Sequence, residues 1–439
     1  MTTIDLTPTP EQLPATIEPR RACGCPDYER GMSRRSFLKR AGLSGLVAGV
    51  ASQTLFTRLA FASAPYSGDV LVVLSLRGGF DGLNAVVPAA DPDYATWRPN
   101  VGVPAGALLQ LDGTFGLHPA MAPLKPLYDA GQLGVVQAVG MAEPNRSHFQ
   151  AMEEMERAAP GTSLRTGWLD RVLGLRDEGS AFQGVQVGSS MAASAFRGPS
   201  SELAMWSVDS FGLDAAWDAD ELARWSGALR ELNRGAPPAI GQPARSALAA
   251  LTTTAQMQEV GYAPENGAAY PDSDLGRALR DVARLIRSEV GLQVAAVDYG
   301  DWDMHAGMGG VGGGWLHDHL SELSGALAAF AADLGPRLAD VTLVTLTEFG
   351  RRVEENGSGG TDHGHGQAVL LLGGGVRGGQ VHGRWPGLAP GALVDGDLAA
   401  TTEYRTILAE VLEKRCGAGA IGSIFPGIGA ERPGVVNAR

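Results

Sequence analysis

Six stretches of this chain share one signature, and it restricts the fold more than any other feature. Residues 70–76 read VLVVLSL, almost unbroken in aliphatic side chains. Residues 133–139 (LGVVQAV), 182–188 (FQGVQVG), 292–300 (LQVAAVDYG), 341–350 (VTLVTLTEFG) and 368–376 (AVLLLGGGV) repeat the theme, and the clearest of them close on glycine and polar residues. A strand with one wet face alternates apolar and polar residues. A solid run marks a strand covered on both faces, as in a parallel sheet lying between helices. Helical patterns fill the intervals. Within 273–290, Leu275, Leu279, Val282 and Ile286 form one apolar stripe, and 315–334 and 401–415 read as further helices. The expectation is an α/β domain over 65–430: a doubly wound, mostly parallel sheet sandwiched by helices. Residues 201–258, with only weak strand signals, read as a helical insertion or cap.

Charge and compartment narrow the function. The 439 residues carry a formal net charge of -13 and no basic stripe, which excludes a nucleic-acid partner, since that affinity rests on neutralising phosphates. The head of the chain differs from the rest. Ser33-Arg34-Arg35-Ser36-Phe37-Leu38-Lys39-Arg40 precedes an uncharged run, Ala41 to Thr57, and then small residues at 60–64. Paired arginines before a mild apolar stretch and a small-residue cleavage site are the pattern of a twin-arginine export signal. Residues 1–64 are therefore expected to be leader and extension, with the translocase as a transient partner and no stable membrane span after cleavage. The destination is the periplasm, the exterior or the cell envelope. Of the three cysteines, Cys23 and Cys25 lie before the signal and only Cys416 follows it, so no internal disulfide forms in the mature chain.

In open α/β sheets chemistry collects at the carboxyl ends of the strands, and polar residues gather there in this sequence. After the first run come Arg77, Asp81 and Asn84 among Gly78, Gly79 and Gly82; glycines permit close backbone approach to a ligand, and a guanidinium suits an anion. The structural alternative is a turn capped by Asp81. After 292–300 come Asp301, Asp303 and His305, a carboxylate and imidazole set suited to zinc or manganese; extended spacing brings Asp303 and His305 to one face. A capped loop is the alternative. After 341–346 come Glu348, Arg351 and Arg352, a glycine-rich loop, and then Asp362, His363 and His365. Ser147 stands at the start of a helix, where N–H groups favour a developing oxyanion; it and Gln150 also fit a capping box. His317 and His319 point different ways from one helix, and His118 and His382 read as structural.

Together the leader and the segments LRGGFDGLNAVVP, LHPAM, NRSHFQAME, GWLDR, DYGDWDMH, TLTEFGRRVEENGSGGTDHGHG and GGGVRGGQVHGRWPGL resemble the exported bacterial DUF1501 proteins, from Val70 to Phe425. The resemblance implies a distant branch of the alkaline phosphatase and sulfatase superfamily, whose α/β core holds one or two metals at strand ends and cleaves phosphate or sulfate esters. By that pattern Asp81, Asp301, Asp303, His305, Glu348, Asp362 and His363 or His365 are the metal candidates. Ser147 is the nucleophile candidate, and Arg77 or Arg351 steadies the ester oxygens. Glu348-Phe349 replaces the usual Asp-His or Asp-Asn, which removes support for a second ion. The implied function is an exported hydrolase of phosphate or sulfate esters using one divalent ion, zinc, manganese or calcium. The alternative is a non-catalytic secreted or envelope protein that binds or assembles a polymer on the same fold. No CxxC or dinucleotide fingerprint supports a redox enzyme.

Overall fold

The computed structural model describes residues 66–175, 180–213, 216 and 218–439. The export signal expected over 1–64 lies outside the described residues. Among those described, no helix is long and apolar enough to cross a membrane.

The architecture is α/β, built on a mixed, mostly parallel central sheet. In chain order the elements used below are β1 (Val70–Leu76), β2 (Leu133–Gly140), α1 (His148–Arg157), α2 (Trp168–Leu173), β3 (Gly184–Val187), β4 (Leu203–Met205), α3 (Ala219–Leu232), α4 (Pro238–Val260), α5 (Asp274–Arg287), β5 (Val294–Tyr299), α6 (Trp315–Leu334), β6 (Val341–Leu346), β7 (Arg351–Glu355), β8 (Thr361–His363), β9 (Gln367–Gly373), β10 (Val381–His382), β11 (Thr402–Glu403) and α7 (Tyr404–Lys414). The sheet runs β10-β2-β9-β6-β1-β5-β3-β4, with β11 also on β2. β1 pairs in parallel with β5 and β6, while β9 is antiparallel to both its neighbours, β6 and β2.

The solid apolar runs are explained by two cores, one on each face. Val72, Leu74 and Leu76 pack with Leu275, Leu279 and Val282 of α5 and Leu316, Leu320 and Leu323 of α6. Leu71 and Val73 face the other way, to Met155 of α1, Trp168 and Leu169 of α2 and Ile407, Leu408 and Leu412 of α7. Successive side chains of β1 thus enter opposite cores, and burying each such side chain stabilises the fold by roughly 1.5–3 kcal/mol relative to exposure. The α5 stripe ends in a partly buried Ile286, and Ser273 caps its start by accepting from Gly276 N.

The segment 201–258 is not wholly helical. It opens with β4, an edge strand held in register on β3, before α3 and α4. Three apolar or small residues are too short a run to announce a strand, and only the neighbouring β3 makes one of them.

Candidate metal centre

Parallel pairing puts several loops on one edge of the sheet. Leu76 is level with Tyr299, and Ser75 with Leu346, so the chain leaves β1, β5 and β6 at the same place. From these ends come Arg77 to Gly79, Asp301 to His305, and Thr347 with Glu348. β9 is antiparallel, so its entry lies at this edge as well, and the hairpin β7–β8 hands Asp362, His363 and His365 to it. The loop after β2 leads to α1, whose first residue is His148.

Among the described residues, His148, Asp303 and His363 form a group that could hold an ion: one ligand atom from each lies within 4.8 Å of the others. His148 Nδ1 is 2.7 Å from Glu348 Oε1. His363 Nδ1 is 2.8 Å from the Arg146 carbonyl oxygen. A carbonyl only accepts, so His363 carries its proton on Nδ1 and presents Nε2 to Asp303 Oδ1 at 3.0 Å. His305 repeats the arrangement. Its Nδ1 is 2.7 Å from Asp362 Oδ1, and its Nε2 is 2.9 Å from His363 Nε2 and 3.0 Å from Asp303 Oδ1. His148 Nε2 is buried without a hydrogen bond, 3.3 Å from Asp303 Oδ2. Three imidazoles, each with Nδ1 on an oxygen acceptor, therefore turn Nε2 toward one carboxylate. Ring nitrogens facing each other at that distance need a cation between them, a proton or a metal. Fixing Nδ1–H on an acceptor is how metal-binding histidines are oriented.

The carboxylate at the centre is set for this role. Burial opposes its charge, but the Arg351 guanidinium, by its hydrogen bond and its positive charge, holds Asp303 down at about 2. Asp362 is likewise lowered, by its hydrogen bonds from His305 and then Asn356. Arg351 is buried and each of its three nitrogens is bonded: it donates to the carbonyls of Gly79, Thr361, Gly78 and Trp302 and to Asp303 Oδ1. It ties three strand-end loops together and leaves no fork for a ligand.

Other expected residues go elsewhere. Arg77 pairs with Glu156 of α1 at 2.7 Å and with Asp298 of β5 at 2.9 Å. Asp81 is buried against Arg98 at 2.7 Å and accepts from Leu83 N and Asn84 N, so it caps a short turn away from the imidazoles. Asp301, at φ +64°, makes the sharp turn after β5 and is exposed. His365 is buried and its Nε2 is 2.9 Å from the Met141 carbonyl oxygen. Glu348 reaches the cluster through His148 rather than toward Asp303; it also accepts from Gly78 N at 2.9 Å and the Thr347 hydroxyl at 3.1 Å. Ser147 occupies the N-cap of α1, but its side chain makes no cap hydrogen bond, so the capping box does not form; Asn145 Oδ1 accepts from Ser147 N instead. The glycines after β1 serve the protein's own packing. A Cβ on Gly78, at φ +117°, would lie 2.7 Å from Asp303 N, so glycine lets this loop approach the one that carries the central carboxylate.

The family model described as "Protein of unknown function (DUF1501)" matches residues 69–412. The chain belongs to the DUF1501 family. No curated protein matches it. Residues 69–412 include every member of the imidazole and carboxylate cluster. In this DUF1501 chain the residue that sequence reasoning passed over is His148. The neighbouring Ser147 and its capping pattern explained the helix start without it. The available signal was position: a histidine one residue inside the helix that follows a buried strand, at the edge where the other polar residues gather.

Proposed function

We propose that this DUF1501 protein is an exported, single-ion metal hydrolase on an alkaline phosphatase-like α/β fold. The observation that carries the reading is the buried, unbonded Nε2 of His148 facing Asp303 and His363. His148, Asp303 and His363 would hold the ion. Two imidazoles and a carboxylate suit zinc, manganese or iron; calcium, which takes oxygen ligands, is disfavoured by this set. The ion they would hold would supply Lewis-acid polarisation. Glu348 and the Arg146 carbonyl fix the two ligand tautomers. His305, oriented by Asp362, holds its Nε2 beside the same carboxylate and would take the proton from the attacking water. Ser147 is not needed in this scheme. The mostly parallel sheet with its polar cluster at the strand ends supports the alkaline phosphatase-like relation. The paired arginines at 34 and 35 support export through the twin-arginine translocase to the periplasm, exterior or envelope.

A second reading keeps one specific observation. Arg77 and Arg351 are both committed to internal partners, as a non-catalytic protein that binds an envelope polymer would allow. Elemental analysis of the purified chain, with turnover measured before and after chelation, separates the two. The hydrolase reading expects about one ion per chain and turnover that disappears with it; a chain that takes up no ion ends that reading.

A further inference from the structure

The charges around the cluster point away from an anionic ester. The cluster carries Asp303 and Asp362, with Glu348 behind His148. Each arginine of these loops already has a carboxylate partner. Arg77 lies on Glu156 and Asp298, and Arg98 on Asp81. Arg351 lies on Asp303. Arg146 and Arg352 both meet the buried Asp397. A dianionic phosphate placed here has no guanidinium free among these residues and several carboxylates nearby, an arrangement that costs rather than contributes binding. The exposed side chain next to His148 is apolar: Phe149 on the first turn of α1, 90 % exposed.

We propose that the substrate is an uncharged acyl ester or amide, not a phosphate or sulfate ester. The inference rests on the metal-hydrolase reading. A neutral carbonyl oxygen needs only the ion to polarise it, and it brings no charge that the cluster must balance. In the step, the oxygen of water bonds to the acyl carbon and His305 takes the water proton. The bond from that carbon to the leaving oxygen or nitrogen then breaks, and the leaving group receives the proton. The products are a carboxylic acid and an alcohol or amine, with no oxidant or reductant consumed.

The test holds the leaving group constant. 4-Nitrophenyl acetate, 4-nitrophenyl phosphate and 4-nitrophenyl sulfate are compared on the purified chain loaded with zinc or manganese, with bound metal measured in parallel. The expected result is bound ion and a kcat/KM for the acetate at least about 100-fold above the other two, lost when the metal is chelated. A faster phosphate or sulfate overturns the substrate class while the hydrolase reading stands. With metal bound, turnover of none of the three overturns this inference alone; acetate turnover that survives chelation overturns it together with the metal-hydrolase reading. A chain without metal overturns the reading beneath it as well.

Discussion

The two ends of the central sheet carry two clusters of charge, and they are built to opposite purposes. At the amino end, Asp69 precedes β1 and is fully buried. It accepts from Arg415 Nε and Nη2 at 2.8 and 3.0 Å, from Arg439 Nη1 at 2.6 Å and from the Thr342 hydroxyl at 2.8 Å. Its lone pairs are answered by protein donors. At the carboxyl end, three imidazoles turn Nε2 toward a carboxylate, and one of those nitrogens, on His148, is buried without a hydrogen bond. A cluster that satisfies itself stabilises a fold; one that leaves acceptors facing each other is completed by something from outside.

The largest expected effect tests the amino end. Asp69→Ala leaves two arginines without their buried carboxylate and should cost about 3–5 kcal/mol of stability, read as a lower midpoint in chemical denaturation. Metal content of the variant that still folds should not change. A loss of under 1 kcal/mol would mean that this cluster is as dispensable as a surface ion pair.

A smaller effect is expected behind the carboxyl-end cluster. Glu348→Gln retains the shape next to His148 but removes the charge on its Nδ1, so metal affinity should fall about 10- to 100-fold, measured by competition with a chelator, with little change in melting temperature. Unchanged affinity would reduce Glu348 to a backbone anchor for Gly78.

These two ends differ in how far they were legible. The strands were readable because burial on both faces leaves solid apolar runs. The edge strands β4, β10 and β11 were not, because two or three residues become a strand only through a neighbour. Asp303, His305 and His363 stood out as polar residues at strand ends. Their relation to one another was not visible, since His363 arrives on an antiparallel strand. Arg77 and Arg351 looked free because most of their partners, Glu156, Asp298 and the carbonyls of Gly78, Gly79 and Trp302, lie far off in sequence. His148 was hidden by a neighbour with a simpler explanation.

The smallest effect separates a structural histidine from those of the cluster. Burial, with His317 nearby, lowers the His118 pKa to about 4, and its Nδ1 accepts from Ala120 N at 3.1 Å. The unfolded chain, with an ordinary value of about 6.5, binds this proton first as pH falls. Stability from neutral His118 is therefore complete above about 6.5 and declines as pH drops through about 4. His118→Gln should flatten part of the stability loss between pH 7 and pH 5 in thermal denaturation. A profile identical to that of the parent chain would remove His118 from the acid response.

The central claim is that the carboxyl-end cluster is a metal site and that His148 is one of its ligands. The direct measurement is metal content by elemental analysis of three purified chains: the parent, Ser147→Ala and His148→Ala. The account predicts about one ion per chain in the parent and in Ser147→Ala, and a folded His148→Ala chain with little or none. An undiminished ion in His148→Ala, or no ion in the parent after reconstitution with zinc, manganese or iron, would contradict it.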